Sequence, residues 1–415
     1  MFLLFYILPF TFASLKERIT TYEVTLPTNL LGRETNWRAY AYSSLSVRLY
    51  PSSDSSSNYY VGYTDANGLG TVLKIKSQSN KIQRTDTFKG YSVRGLHVLS
   101  DGTYGILLWD TKTSLIYFRK VSHKGKEEFT KPLGLRTAPF PSSVPAGSDK
   151  GYGIGDSRVN YGDGKFHIYT HVHSDNGHEG DALFTVTDDG TVQQIWGWGC
   201  SHMMSGLQGW NSNTKTMIHI CDSDAYPSTG MFAENSVKYT LYKHAGNGGG
   251  MSAGELGGVV ENGDGWLLIM NSIQPESAST ANPQSAIQDI GVVSINANKT
   301  RSKVDFIKIS DKKKSNGCIA KFEGNFLVGY KQGTDFFLGS IDSNAKIMND
   351  FENVTDVTGW GDRDDSFRNM EEGGIFWVRA PNDKGNILII TEFSAAFGNY
   401  MINVMFCALF MMVFL

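Results

Sequence analysis

An all-β fold assembled from repeated four-stranded units is what this sequence predicts, and three observations carry the prediction. Short segments rich in Tyr, Phe, Val and Ile are bounded by glycine, with 45 Gly, 19 Tyr and 24 Phe against only 11 Pro in 415 residues. Such residues fit a pleated, half-buried surface better than a helix. The pattern recurs with a loose period of about 40–60 residues, the mark of a stacked or radial repeat. Each recurrence keeps one order: short strand, acidic or glycine turn, apolar strand, exposed strand, turn.

The clearest unit begins at Ser92 and reads SVRGLHVLSDGTYGILLWDTKTSLIYFRKVSHKGKEEF. Strands are expected near 94–99, 104–109 and 114–121, with turns at Ser100-Asp101-Gly102, Asp110-Thr111-Lys112 and His123-Lys124-Gly125. Further copies run over 155–198, 253–309 and 316–351, and shorter ones over 46–82, 201–243 and 364–393, making seven units. Residues 136–150, with three prolines, read as a long surface loop, and the polar run 274–286 as a projection from one face.

Four antiparallel strands per unit and this unit length resemble the blades of a β-propeller, over residues 19–393. No run of Trp-Asp dipeptides and no kelch-type double glycine is present, so the resemblance is to the architecture in general. The last unit is short by one strand, since 371–393 holds two strong ones. The stretch ITTYEVTL at 19–26 has strand composition and no blade of its own. It is expected to close the ring and remove the open edges. A pair of β-sandwiches is the architectural alternative.

Both ends read as addresses. Residues 1–13 (MFLLFYILPFTFA) are almost wholly apolar, so 1–14 reads as a secretory signal peptide, with the propeller spanning 15–393. Residues 400–415 are apolar except Asn403, so 394–415 reads as an anchor signal or a membrane tail. Sixteen residues make a helix of roughly 24 Å against a hydrocarbon core of ~30 Å, and Ser394-Ala395-Ala396 offers small residues for lipid attachment. A glycosylphosphatidylinositol anchor at Ser394 is therefore the favoured reading. The expected location is the outer face of the plasma membrane, with the C-terminus as the membrane contact. The sequons at Asn298 and Asn353 fit a glycosylated secreted surface.

Charge excludes one class of partner. With 41 acidic against 38 basic residues, no basic excess exists to neutralise phosphates, and nucleic-acid binding is not expected. Cysteine arithmetic points to one bridge. If Cys407 leaves with the terminal run, Cys200, Cys221 and Cys318 remain, and Cys200 with Cys221 is the simplest pair.

The strongest local signal is histidine, with six of the nine between residues 167 and 219. In a strand, His167, His171 and His173 share a face. With His202, and with Glu179, Asp181, Asp222 or Asp224 completing the shell, they are candidate ligands for a divalent metal, Zn²⁺ or Ca²⁺. The plainer reading is structural hydrogen bonding near a tight turn. A second signal is aspartate near strand ends, at Asp156, Asp222 with Asp224, and Asp362. Carboxylates from different blades could converge on a central channel; turn capping is the plainer reading. A third is the aromatic set Trp198, Trp210 and Tyr226, which could stack on sugars or peptides or pack between blades.

Two functions follow from these residues. The first is a surface-anchored module binding an extracellular glycan or protein on one rim, through Trp198, Trp210, Tyr226, Asp156 and Asp362. The second is an extracellular polysaccharide hydrolase or lyase using His171, His202, Asp222 and Asp224 as acid, base or metal ligands.

Overall fold

The computed structural model describes residues 14–32, 49–113, 115–133, 152–173, 179–197, 199–200, 203–223, 229–234, 239–243, 254–274, 276, 287–309, 311–359, 366–371 and 373–394. Within these residues the chain forms seven four-stranded antiparallel sheets, each a blade. Strand β1 (Ile19–Thr25) precedes all of them. The first blade is β2 (Tyr50–Ser53), β3 (Tyr59–Thr64), β4 (Gly70–Ile75) and β5 (Ile82–Phe88). The second is β6 (Tyr91–Val98), β7 (Tyr104–Asp110), β8 (Ile116–Val121) and β9 (Glu127–Leu133). The third is β10 (Tyr152–Gly162), β11 (Lys165–His173), β12 (Glu179–Thr187) and β13 (Val192–Trp196). The fourth is β14 (Met203–Asn211), β15 (Thr216–Ser223), β16 (Gly230–Ala233) and β17 (Tyr239–Tyr242). The fifth is β18 (Gly254–Asn262), β19 (Gly265–Ser272), β20 (Asp289–Ile295) and β21 (Arg301–Lys308). The sixth is β22 (Lys314–Phe322), β23 (Asn325–Gln332), β24 (Asp335–Ile341) and β25 (Ile347–Asn353). The seventh holds β26 (Arg368–Asn369), β27 (Ile375–Arg379) and β28 (Ile387–Phe393), with β1 as its outer strand.

Each blade's burial explains the recurring sequence order. The second strand lies between two neighbouring blades and is apolar on both faces; β19 (GWLLIMNS) is buried at every position. The outermost strand faces solvent on one side, so β5 (IQRTDTF) alternates. That alternation hid the end of the first unit, which runs on to Phe88 rather than stopping at Ile82. Residues 136–150 and 277–286, read as loops, lie outside the described residues.

The core is correspondingly divided. Seven apolar clusters occupy the seven junctions between adjacent blades, and no single centre exists among the described residues. Ring closure follows the expectation from composition. β1 pairs antiparallel with β28 from Ile19↔Phe393 to Thr25↔Ile387. Val24 and Leu26 are thereby buried with Tyr59, Val61, Phe376 and Leu388, at the junction of blades 7 and 1.

Strand direction assigns the loops to two faces. β11 begins at the inner hairpin turn (Gly162↔Lys165) and ends at the opposite face. Phe393, paired with Ile375 just after the β26–β27 turn, lies on the inner-hairpin face. Among the described residues no helix is long and apolar enough to cross a membrane; residues 1–13 and 395–415 lie outside them.

Candidate functional site

The junction of blades 3 and 4 differs from the other six. Among the described residues its apolar cluster has five buried members, Tyr169, Leu183, Cys200, Cys221 and Phe232, against thirteen between blades 4 and 5. Strand periodicity explains what fills it. On β11, Phe166, Ile168 and Val172 point into the blade 2–3 cluster, which leaves His167, Tyr169 and His171 toward blade 4. On β15, Ile218 and Ile220 join the blade 4–5 cluster, which leaves His219 and Cys221 facing back.

The two strands meet through rings and charges. The His167 and His219 rings are 5.6 Å apart, and Tyr169 and Trp196 meet His219 edge-on at 5.7 and 5.5 Å. Burial first, then the neighbouring His219 and lysines, hold His167 neutral with a pKa of about 3. His219 Nδ1 lies 3.4 Å from Glu234 Oε1, and Lys299 Nζ donates to the same oxygen at 2.8 Å. Burial raises the Glu234 pKa, but His219 and Lys299 outweigh it and hold the carboxylate at about 2.

Closer to the other face, Asp181 is fully buried. Tyr169 Oη donates to it, as do Trp196 Nε1 at 3.3 Å and the Cys200 amide. Burial outweighs these donors and raises its pKa. The Cys200–Cys221 disulfide, expected from cysteine counting, spans 6.5 Å between Cα atoms beside it. Cys318 is buried and unbridged, its thiol 3.5 Å from the Gly329 carbonyl oxygen.

The expected site residues distribute as follows. His167 and His171 share the buried face of β11. His173 and Asp156 fall on β11 and β10, their side chains outside the described atoms. His202, Trp198, Asp224, Tyr226 and Asp362 lie outside the described residues. Among the described residues no three His, Cys, Asp or Glu side chains gather as a metal site. Asp222 is buried on β15, the second strand of its blade. Trp210 packs over Gly162, where an added Cβ would come within 2.2 Å of its ring. Asn298 and Asn353 are exposed.

The channel itself holds a cavity of about 290 Å³, lined from the first strand of every blade. Its polar wall includes Ser53, His97, Arg158, Asn160, Gln208 and Arg368, and no carboxylate lines it among the described residues. Arg368 Nε donates to the Pro51 carbonyl at 3.1 Å and its Nη1 to that of Phe367 at 2.9 Å; Arg158 Nη1 donates to that of Ser157 at 3.1 Å. Burial, then the positive charge of Arg368, lowers the His97 pKa to about 4. Sequence reading passed over these residues. Arg158 closes the Gly155-Asp156-Ser157-Arg158 run, but only the ring geometry brings it to the same space as Arg368.

No family model matches the chain, and no curated protein matches it in sequence. Among solved structures, a Dos1 propeller is similar at 10% identity and a TM-score of 0.48, covering 90% of this chain and 84% of that one. A Penicillium chrysogenum alpha-L-arabinanase complexed with arabinobiose has 10% identity and a TM-score of 0.45, covering 90% and 98%.

Proposed function

We propose that this propeller is a binding module of the cell exterior, holding a glycan or protein ligand on the face where the loops of blades 3 and 4 emerge. The observation that carries the reading is the Cys200–Cys221 bridge. It fastens the segment entering blade 4 to β15 at the junction with the smallest apolar cluster among the described residues. Disulfides persist in secreted proteins and are rare in the reducing cytosol. A rim held this way presents its loops at low entropic cost.

Binding rather than hydrolysis is favoured by where the titratable groups are spent. Asp181 is occupied by Tyr169, Trp196 and the Cys200 amide, and Glu234 by Lys299 and His219. An acid–base pair needs two titratable groups converging on one accessible position. Among the described residues, the channel cavity holds one imidazole and no carboxylate.

Tethering belongs to the same reading. Ser394 leaves the ring on the inner-hairpin face, so an anchor carried by 395–415 turns the loops of blades 3 and 4 away from the membrane. The test is retention of purified protein on a panel of immobilised extracellular polysaccharides and surface proteins, with reducing ends and unsaturated sugars assayed in the eluate. Retention without product is expected. Product accumulating with time would establish the hydrolase or lyase reading instead.

A further inference from the structure

Imidazole rings line the inner-hairpin end of the blade 3–4 junction. We propose that this seam is an acid-sensitive latch, shut while His167 is uncharged and parted when His167 takes up a proton, with the Cys200–Cys221 bridge holding the rim end. His167 is the third residue of β11, near the inner-hairpin turn, whereas Cys221 lies toward the far end of β15. Parting is therefore confined to one end of the seam.

The geometry comes first. Both ring nitrogens of His167, and Nε2 of His219, are shielded from solvent and meet no hydrogen-bond partner among the described residues. The remaining nitrogen, His219 Nδ1, lies 3.4 Å from Glu234 Oε1. The two rings, 5.6 Å apart, are what one blade presents to the other here. A shielded imidazole without a partner is costly when neutral and far costlier when charged. Apolar packing that could resist parting is also smallest at this junction among the described residues.

The surrounding charges oppose a proton on His167. Lys165, Tyr169 and His171 share its strand, His219 faces it from β15, and Glu234 follows β16. Lys299 reaches in from the β20–β21 turn, Asp181 stands further along on β12, and β14 carries no titratable residue. Burial first, then His219, Lys165 and Lys299, disfavour the charged ring; Glu234 favours it but is already held by Lys299 at 2.8 Å. Proton linkage sets the direction. The His167 pKa is about 3 in the shut seam, against ~6.5 for a solvated imidazole. The parted seam thus binds the extra proton between about pH 6.5 and 3, and parting becomes easier as pH falls through that window. At pH 4.5 the factor over pH 7 reaches roughly 70-fold.

The test is thiol labelling of the folded full chain with 4,4′-dithiodipyridine at pH 7 and pH 4.5, read by peptide mass and corrected with glutathione at each pH. Thr185→Cys places the reporter, since Thr185 is buried and lies directly opposite His167 in the β11–β12 register. Cys318, buried in the cluster between blades 6 and 7, reports on the rest of the ring. Labelling at position 185 is expected to rise at least about tenfold in acid, and that of Cys318 to stay within about twofold. Adding His167→Phe, or the smaller His167→Leu, should abolish the rise. Urea midpoints give a reading without a reporter: His167→Leu should lose less stability than wild type between pH 7 and pH 4.5. No rise at position 185, an equal rise at Cys318, or a full rise in both His167 variants overturns the proposal. The experiment uses no ligand, so the latch and the rim reading can fail separately.

Discussion

Arg18 and Ser394 exchange two hydrogen bonds across the closure of the ring. The Ser394 amide donates to the Arg18 carbonyl at 3.1 Å, and Arg18 Nε donates to the Ser394 carbonyl at 2.9 Å. The Arg18 guanidinium also lies over the Phe322 and Phe393 rings and pairs with Glu323 at 2.7 Å. Residues 376 apart in sequence thus meet where the ring closes.

Closure makes β1 disproportionately important. Val24→Asp places an unpaired carboxylate among Tyr59, Val61 and Leu388, and is expected to cost more than about 3 kcal/mol. Glu23→Ala on the exposed edge should stay within about 0.5 kcal/mol. Urea unfolding of the two variants checks the contrast; equal midpoints would mean that β1 is dispensable.

The disulfide closes a loop with a sequence separation of 21. Removing it as Cys200→Ser with Cys221→Ser should lower stability by roughly 3 kcal/mol. Thermal unfolding with and without reductant measures this, and the double variant should no longer respond to reductant.

Two groups give stability opposite pH dependences. The His97 pKa is about 4, below that of an unfolded histidine, so the unfolded chain binds the extra proton between about pH 6.5 and 4. Its contribution is lost as pH falls through that window. Burial raises Glu392 to about 6, above the unfolded value of 4.5, although the Gln78 amide opposes the rise. Its contribution is present below pH 4.5 and lost as pH rises through 6. Plots of urea midpoint against pH should therefore flatten on the acid side in His97→Gln. Glu392→Gln should be more stable than wild type at pH 7 and equal to it at pH 4.

Gly162 permits the Trp210 ring to lie flat on the backbone between blades 3 and 4. Gly162→Ala drives a methyl group into that ring and should cost about 1–3 kcal/mol. Combining it with Trp210→Leu should recover part of the loss, and additive costs in the double variant would refute direct contact.

The anchor is tested on intact cells with phosphatidylinositol-specific phospholipase C. Release into the medium is expected, with residues 410–415 absent from the mature chain. Protein that stays on the cells and retains those residues carries a membrane-spanning tail.

The architecture was legible because each blade repeats one burial order, so the run at 265–272 announces a doubly covered strand by composition alone. The closing strand was legible because 19–26 had strand character and nowhere else to pair. Cys200 with Cys221 followed from counting. The axial residues were not legible. His97, Arg158 and Arg368 lie on three strands far apart in sequence, and Arg368 belongs to a strand of two residues, too short to leave a pattern. The histidine face of β11 was readable from alternation, but not that a second blade covers it, since burial there depends on His219 across the junction.

Because β28 is flanked by β27 on one edge and β1 on the other, a force at residue 394 directed along the strand meets it in shear. The seven residue pairs from Ile19↔Phe393 to Thr25↔Ile387 share that load together rather than unzipping in turn. Whatever tugs on the C-terminal end of this molecule pulls against its strongest mechanical direction, and β1, the strand that precedes every blade, is the one that bears the strain.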